Sequence, residues 1–379
     1  MDKIALLLKS LGANAHQIAG KTGLSEERVH DILDGAKVTL PELRALARGL
    51  RIPLNSFANG VRPADRNATM RLLFRRGASA ADAFDPVQEF VADFVEAALE
   101  ILPQKPELPE WLGALTVERE TYEEAERLAY EVRSLFFPER LEEPIPDLAE
   151  VLSEKGGVIV GRLRMSRYEG VSLIANNYPF IFVSPRFVPR MLFTLAHELG
   201  HLVAHHVSNE TALFERPGEV TNFRKRSKSE AFVDAFASIL LMPERGVATV
   251  LKSVREILDI QSDEIGDIEI LFLARIYGVS FEVAARRCEN LDLLPEGGSF
   301  SLAEEIKKNY GSPEKRAAEV GMPERVNVHI PQVSKNLMES LIGCIEEGAV
   351  SAGWGAEKFG ISIGDIYSAH AEITREHNY

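Results

Sequence analysis

"LFTLAHELGHLVAHH" occupies residues 192–206 and holds four of the chain's nine histidines. On an α-helix at about 100° per residue, His197 and His201 fall one turn apart, about 40° from each other. Glu198 lies about 60° from His201. Leu192, Leu195, Leu199, Leu202 and Val203 gather on the opposite arc. One face therefore packs into a core, and the other presents two imidazoles and a carboxylate. At His-Glu-x-x-His spacing both imidazole nitrogens can reach one Zn²⁺ at about 2.0–2.1 Å, with the glutamate beside the water such an ion would activate. Two histidines four apart on a helix are often merely solvated. The apolar stripe opposite this pair places them in a cleft instead and favours the metal reading.

A catalytic zinc needs a third protein ligand and one open position. The downstream stretch "KSEAFVDAFASILLMPE" (228–244) has apolar residues at helical spacing: Phe232, Ala235, Phe236, Ile239 and Leu240. Glu230 stands at its start and Asp234 one turn later on the same side. An acid at a helix N-terminus is common because the dipole favours it. Beside His-Glu-x-x-His, Glu230 is the expected third ligand. Asp234 is the expected acceptor for the second N–H of one ligating histidine, the bond that sets the tautomer of such a ring.

These paired motifs carry a resemblance. "HELGHLVAHH", followed by "E-x-x-x-D-x-FA-x-x-LLMP" and preceded by "PIPDLAEVLSEKGGVIV", is similar to the ImmA/IrrE family of metallopeptidases over about residues 118–290. The resemblance implies a zinc-dependent, thermolysin-like (zincin-like) site, with His197, His201 and Glu230 as ligands and Glu198 as general base. It also implies a transcriptional repressor as protein substrate, in stress or mobile-element responses. Many relatives have Ala-Asn where this chain has Val233-Asp234; aspartate there keeps a hydrogen-bond acceptor. Zinc would acidify a water and polarise the scissile carbonyl, while Glu198 moves the proton from water to leaving amine. His205, His206, Tyr168 and Tyr178 are the open candidates for stabilising the oxyanion. "GVSLIA" and "PFIFVS", flanking Asn176-Asn177-Tyr178, read as a hairpin. Either strand could offer a free edge to an extended substrate, or no ligand at all.

Composition sets the frame. The chain has 379 residues, 45% hydrophobic and 26% charged, which reads as globular and suggests two or three domains. It holds no run of eighteen apolar residues, so no membrane partner is expected. Cys288 and Cys344 are its two cysteines, which offer no disulfide framework and fit a reducing cytoplasm. Net charge is −14, but residues 1–76 carry thirteen Lys/Arg against seven Asp/Glu, a local balance of +6. Such asymmetry points to separate domains with separate partners.

Within that basic segment, "QIAGKTGLSEERVHDILDG" places Ala19, Gly23, Ser25 and Val29 at revealing offsets. A small Ala lets two helices approach, Gly takes the turn and Ser caps the next helix. Residues 1–60, expected as four or five short helices, resemble the Cro/repressor-type (XRE) helix-turn-helix domain. The resemblance implies DNA as a partner, with Gln17, Ser25, Arg28, His30 and Lys37 as candidate contacts, and a homodimer as the usual state. Glu26 and Glu27 at the start of the second helix cap it, read cytosine or repel phosphate, so a protein-docking role stays open. The same offsets recur at Ala274, Gly278 and Ser280, and at Ala356, Gly360 and Ser362, where packed helix corners are the better reading.

The expected fold is α+β and helix-dominated. An all-α helix-turn-helix domain (1–76) leads through a helix and a Pro-rich connector (77–117) to a zincin-like peptidase domain with a small antiparallel sheet (118–250). A helical C-terminal region for scaffolding, sensing or docking (251–379) follows. The expected function is a zinc endopeptidase with a DNA-binding module. The alternative is a DNA-binding regulator or antitoxin whose peptidase-like domain only senses or docks.

Overall fold

The computed structural model describes residues 4, 8, 15–50, 86–105, 107–163, 168–206, 213–214 and 227–376. The chain divides into two compact units, residues 1–78 and 79–379.

In the first unit, α1 (Ala15–Thr22), α2 (Glu26–Leu33) and α3 (Leu40–Leu50) enclose buried Leu8, Ala15, Ile18, Val29, Ile32 and Leu46. Gly23 turns the chain at φ +72°, a conformation that costs glycine no Cβ clash. Its N–H donates to the Ala19 carbonyl at 3.0 Å. Ser25 Oγ then accepts from the Arg28 N–H at 3.2 Å and caps α2. The expectation of four or five helices over residues 1–60 extends onto residues outside those described.

The second unit is built on a four-stranded sheet of order β1-β3-β2-β4: β1 (Ile159–Arg162), β2 (Gly170–Ala175), β3 (Tyr178–Val183) and β4 (Leu213–Phe214). The hairpin expected at Asn176-Asn177 forms. Both asparagines take left-handed φ, 46° and 64°, and Ala175 pairs with Tyr178 across the turn. This is the geometry a two-residue hairpin prefers. The expectation of an antiparallel sheet is corrected to a mixed one: β1 runs parallel to β3, Ile159 opposite Phe180. The reason is burial. All six residues of β3 are buried, and a strand covered on both faces sits inside a sheet with a partner on each side. That position also corrects the reading of "PFIFVS" as a free edge. Residues 332–334 cover the outer edge of β1: the Arg162 N–H donates to Gln332 O at 3.0 Å, and the Ser334 N–H donates to Val160 O at 2.8 Å. β4 pairs with β2 at Val171 and Ser172.

Helices pack both faces. α4 (Pro86–Ile101) sets Phe94 edge-on against Phe182 at 5.0 Å and Phe359 at 4.9 Å. The helix read ahead of the Pro-rich connector thus forms and has a buried face. The connector is tied to the hairpin, since Tyr178 Oη donates to Pro103 O at 2.8 Å and Asn177 Nδ2 to Lys105 O at 3.0 Å. After α5 (Glu110–Ala114), α6 (Tyr122–Phe136) and α7 (Leu148–Glu154), the other face receives α8 (Val188–His201) and α9 (Lys228–Leu241). Their core joins Ile181 and Val183 to Leu192, Leu195, Leu199, Phe232 and Phe236.

Of the eight C-terminal helices described, the first five extend this core. The eight are α10 (Glu244–Ile257), α11 (Asp267–Tyr277), α12 (Phe281–Asn290), α13 (Gly298–Tyr310), α14 (Pro313–Glu319), α15 (Lys335–Glu346), α16 (Ala352–Phe359) and α17 (Ile363–Glu376). Ile306, Ala317, Val328 and Ile330 belong to the same core as α8 and α9. Gly278 and Gly360 both stand at φ +70°, and Ser280 and Ser362 cap the helices that follow. The corner chemistry at Gly23 is therefore repeated twice. No helix among the described residues is long and apolar enough to cross a membrane.

Candidate metal centre

α8 begins with Pro189 in its first turn, where the missing N–H costs no helical bond. Its last turn carries His197, Glu198 and His201, all buried. Gly200 faces α9. A Cβ there would come within 2.9 Å of Phe236 and 3.1 Å of Val233, so glycine permits the close crossing of the two helices. Ser227 caps α9 by accepting from the Glu230 N–H at 3.2 Å, which places Glu230 in the first turn, over the histidines.

The crossing gathers the donors. Nε2 of His197 and Nε2 of His201 lie 3.1 Å apart. Glu230 Oε2 is 3.5 Å from the first and Oε1 3.6 Å from the second. One ligand atom from each residue falls within 4.8 Å of the other two, a candidate metal-binding triad. Four ligands around an ion at about 2.0–2.1 Å stand roughly 3.3 Å from one another along a tetrahedral edge. The observed separations match that edge, and two imidazoles with one carboxylate are a donor set that suits zinc. The residues present therefore fit the ion.

Around the triad, Asp234 Oδ1 accepts from His197 Nδ1 at 2.9 Å, leaving Nε2 of that ring to face the centre. Glu198 packs against β2. A Cβ on Gly170 would sit 2.2 Å from Glu198 Oε1 and 2.7 Å from its Cγ. Gly170 is held in place, since the neighbouring buried Glu169 pairs with Arg190 at 3.1 Å and its carbonyl accepts from the Ser184 N–H at 2.9 Å.

Beyond His201 the helix loosens into a π-helical turn, Leu202–His206, of the kind often found at functional sites. It brings His205 beneath His201, Nδ1 to Nδ1, at 3.0 Å. His205 Nε2 lies 3.0 Å from Glu120 Oε1 and 2.7 Å from Ser229 Oγ.

The residues considered for the oxyanion are thus spread out. The Tyr178 hydroxyl is turned to the Pro103 carbonyl, and burial pushes its pKa up. His205 is turned to His201. Tyr168 is buried two residues before Gly170, and the His206 side chain lies outside the described residues. Of the candidate DNA contacts, Ser25 caps α2, and His30 and Lys37 are exposed. Arg28 is committed within the unit, donating to Glu42 Oε1 at 2.7 Å and Lys37 O at 2.8 Å. The Gln17 side chain lies outside the described residues. Gly170, Gly200, Glu120 and Ser229 had no part in the reading of the sequence. Gly200 alone left a trace there, as the small residue inside the His-Glu helix.

Residues 153–289 match the model of the Peptidase_M78 family, the IrrE N-terminal-like domain. That match supports the ImmA/IrrE family and points to a peptidase; the whole triad lies within the matched residues. Residues 1–152 and 290–379 lie outside it. No curated protein matches the chain.

Proposed function

We propose that the chain is a zinc-dependent endopeptidase of the ImmA/IrrE type that cleaves a transcriptional repressor. The observation that carries this reading is the tetrahedral-edge spacing of His197, His201 and Glu230 inside a peptidase-family domain. When bound, zinc supplies Lewis acidity toward a water and a carbonyl oxygen. His197 and His201 offer Nε2, and Asp234 holds the His197 ring in the tautomer that leaves Nε2 free. Glu198 takes the proton of the attacking water and delivers it to the leaving amine. Tyr168 is the remaining described candidate for steadying the oxyanion. The test is zinc content, about one ion per chain in the wild type and none in His197→Ala or Glu230→Gln. Cleavage of a repressor substrate should then fall about 10²–10⁴-fold in Glu198→Gln, with zinc retained. A wild type that takes up no zinc on reconstitution would sink the enzyme reading.

A second reading is favoured by one observation, the Ser-capped corner at Gly23 within a segment of charge +6. In it the first unit binds DNA, as an operator-binding module or as the working part of a regulator or antitoxin. Exposed His30 and Lys37 are its contacts, and Arg28 holds the Lys37 loop by donating to Lys37 O. Titration of labelled duplex DNA at two salt concentrations tests it. Binding that weakens as salt rises and is reduced by Lys37→Ala supports the reading; no binding at low salt removes it.

A further inference from the structure

We propose that His205, aligned by Glu120, is a positioning residue of the metal centre that holds His201 in its ligating tautomer. The inference rests on the metal reading above. Two imidazole nitrogens 3.0 Å apart share one proton between them, so one Nδ1 donates and the other accepts. Glu120 decides which. Its ionised carboxylate accepts only, and it stands 3.0 Å from His205 Nε2, so that nitrogen carries the proton. His205 Nδ1 is then a lone pair, and His201 Nδ1–H donates to it. His201 Nε2 is left unprotonated, on the side where His197 Nε2 lies 3.1 Å away. The opposite polarity would set a lone pair of His205 against the carboxylate and a proton on His201 Nε2, where a cation belongs.

Ser229 adds a second tie. Its Oγ lies 2.7 Å from the same His205 Nε2 and, with that nitrogen protonated, shares the N–H as a second acceptor beside Glu120; it is the residue before Glu230. His205 therefore links the end of α8, the first turn of α9 and the residue two positions before α6. The π-helical turn is what brings its ring under His201, with ring centroids 5.2 Å apart. Asp234 does for His197 what the His205–Glu120 pair does for His201.

The test is zinc affinity of the full chain, measured by competition with a chromophoric chelator, beside the visible spectrum of the cobalt(II)-substituted protein. His205→Ala should weaken zinc binding about 10–100-fold and alter the cobalt bands. His205→Asn, whose Oδ1 can stand where Nδ1 stood, should restore both to near wild type. Glu120→Ala, at a half-exposed side chain away from the core, should weaken zinc binding in the same direction and carries the test if His205→Ala does not fold. Wild-type affinity in both alanine variants overturns the inference, as does a failure of His205→Asn to recover any of the loss. A wild type that binds no zinc overturns the metal reading itself, a different result from either.

Discussion

At the scale of single residues, the centre depends on atoms that are missing as much as on those present. Gly170 has no Cβ, and the space goes to the Glu198 carboxylate, 2.2 Å from where that atom would stand. Because Glu169 and Ser184 pin the strand beside it, Gly170→Ala must displace Glu198 rather than the backbone. Its expected phenotype is full zinc content with cleavage reduced at least tenfold, read by metal analysis and by kcat on one substrate. Cys288 shows the opposite use of space. It is fully buried, and burial pushes its thiol up to about 12, so almost no thiolate exists near neutral pH. A maleimide reagent should modify Cys288 only in denaturant, and mass spectrometry of the labelled peptide under native conditions checks this.

At the scale of elements, buried arginines fasten helices to loops. Arg133 on α6 is fully buried and donates to the carbonyls of Leu240, Arg140, Leu141 and Glu143. It thereby ties the end of α9 to the loop before α7. Leaving a buried acceptor without a donor costs about 1–3 kcal/mol; the bond to Leu240 O is buried and the other three are part-buried. Arg133→Met should destabilise the second unit by about 1–3 kcal/mol, visible as a lower urea midpoint. In the first unit the fastening is exposed: Arg28 and Thr39 hold Glu42 well below the usual carboxylate range, at about 2. A depressed carboxylate pKa contributes stability above the unfolded value of about 4.3 and loses it as pH falls through about 2. Hydrogen-exchange protection of α2 and α3 should therefore weaken between about pH 4.5 and 2, and Glu42→Gln should flatten that dependence.

At the scale of the molecule, every ligand of the candidate centre comes from the unit 79–379, and they come from two helices joined through a shared core. Binding that favours the folded state stabilises it by mass action, about 4 kcal/mol at a thousandfold excess over Kd. Zinc should raise the melting temperature of the second unit in the wild type and leave it unmoved in His197→Ala. Calorimetry with and without added zinc measures both.

Chain-local physics was legible in the sequence. Histidines at i and i+4 share a helix face by periodicity alone, Asn176-Asn177 prescribes a tight hairpin, and Gly followed by a serine cap turns a helix at three places. Glu230 was reached because its acid stands at the head of an amphipathic helix, next to a motif short of one ligand. What local pattern could not decide was the company each residue keeps. Whether β1 runs parallel or antiparallel to β3, that residues 332–334 close the outer edge of the sheet, and that Arg28 pairs with Glu42 all depend on segments brought together by packing. The same holds for His205. Its partner Glu120 lies 85 residues away, and only the packing of α6 against α9 and a π-helical turn place that carboxylate behind the ring. Contacts between residues distant in the chain are selected by burial of the whole core, which no single stretch of sequence encodes.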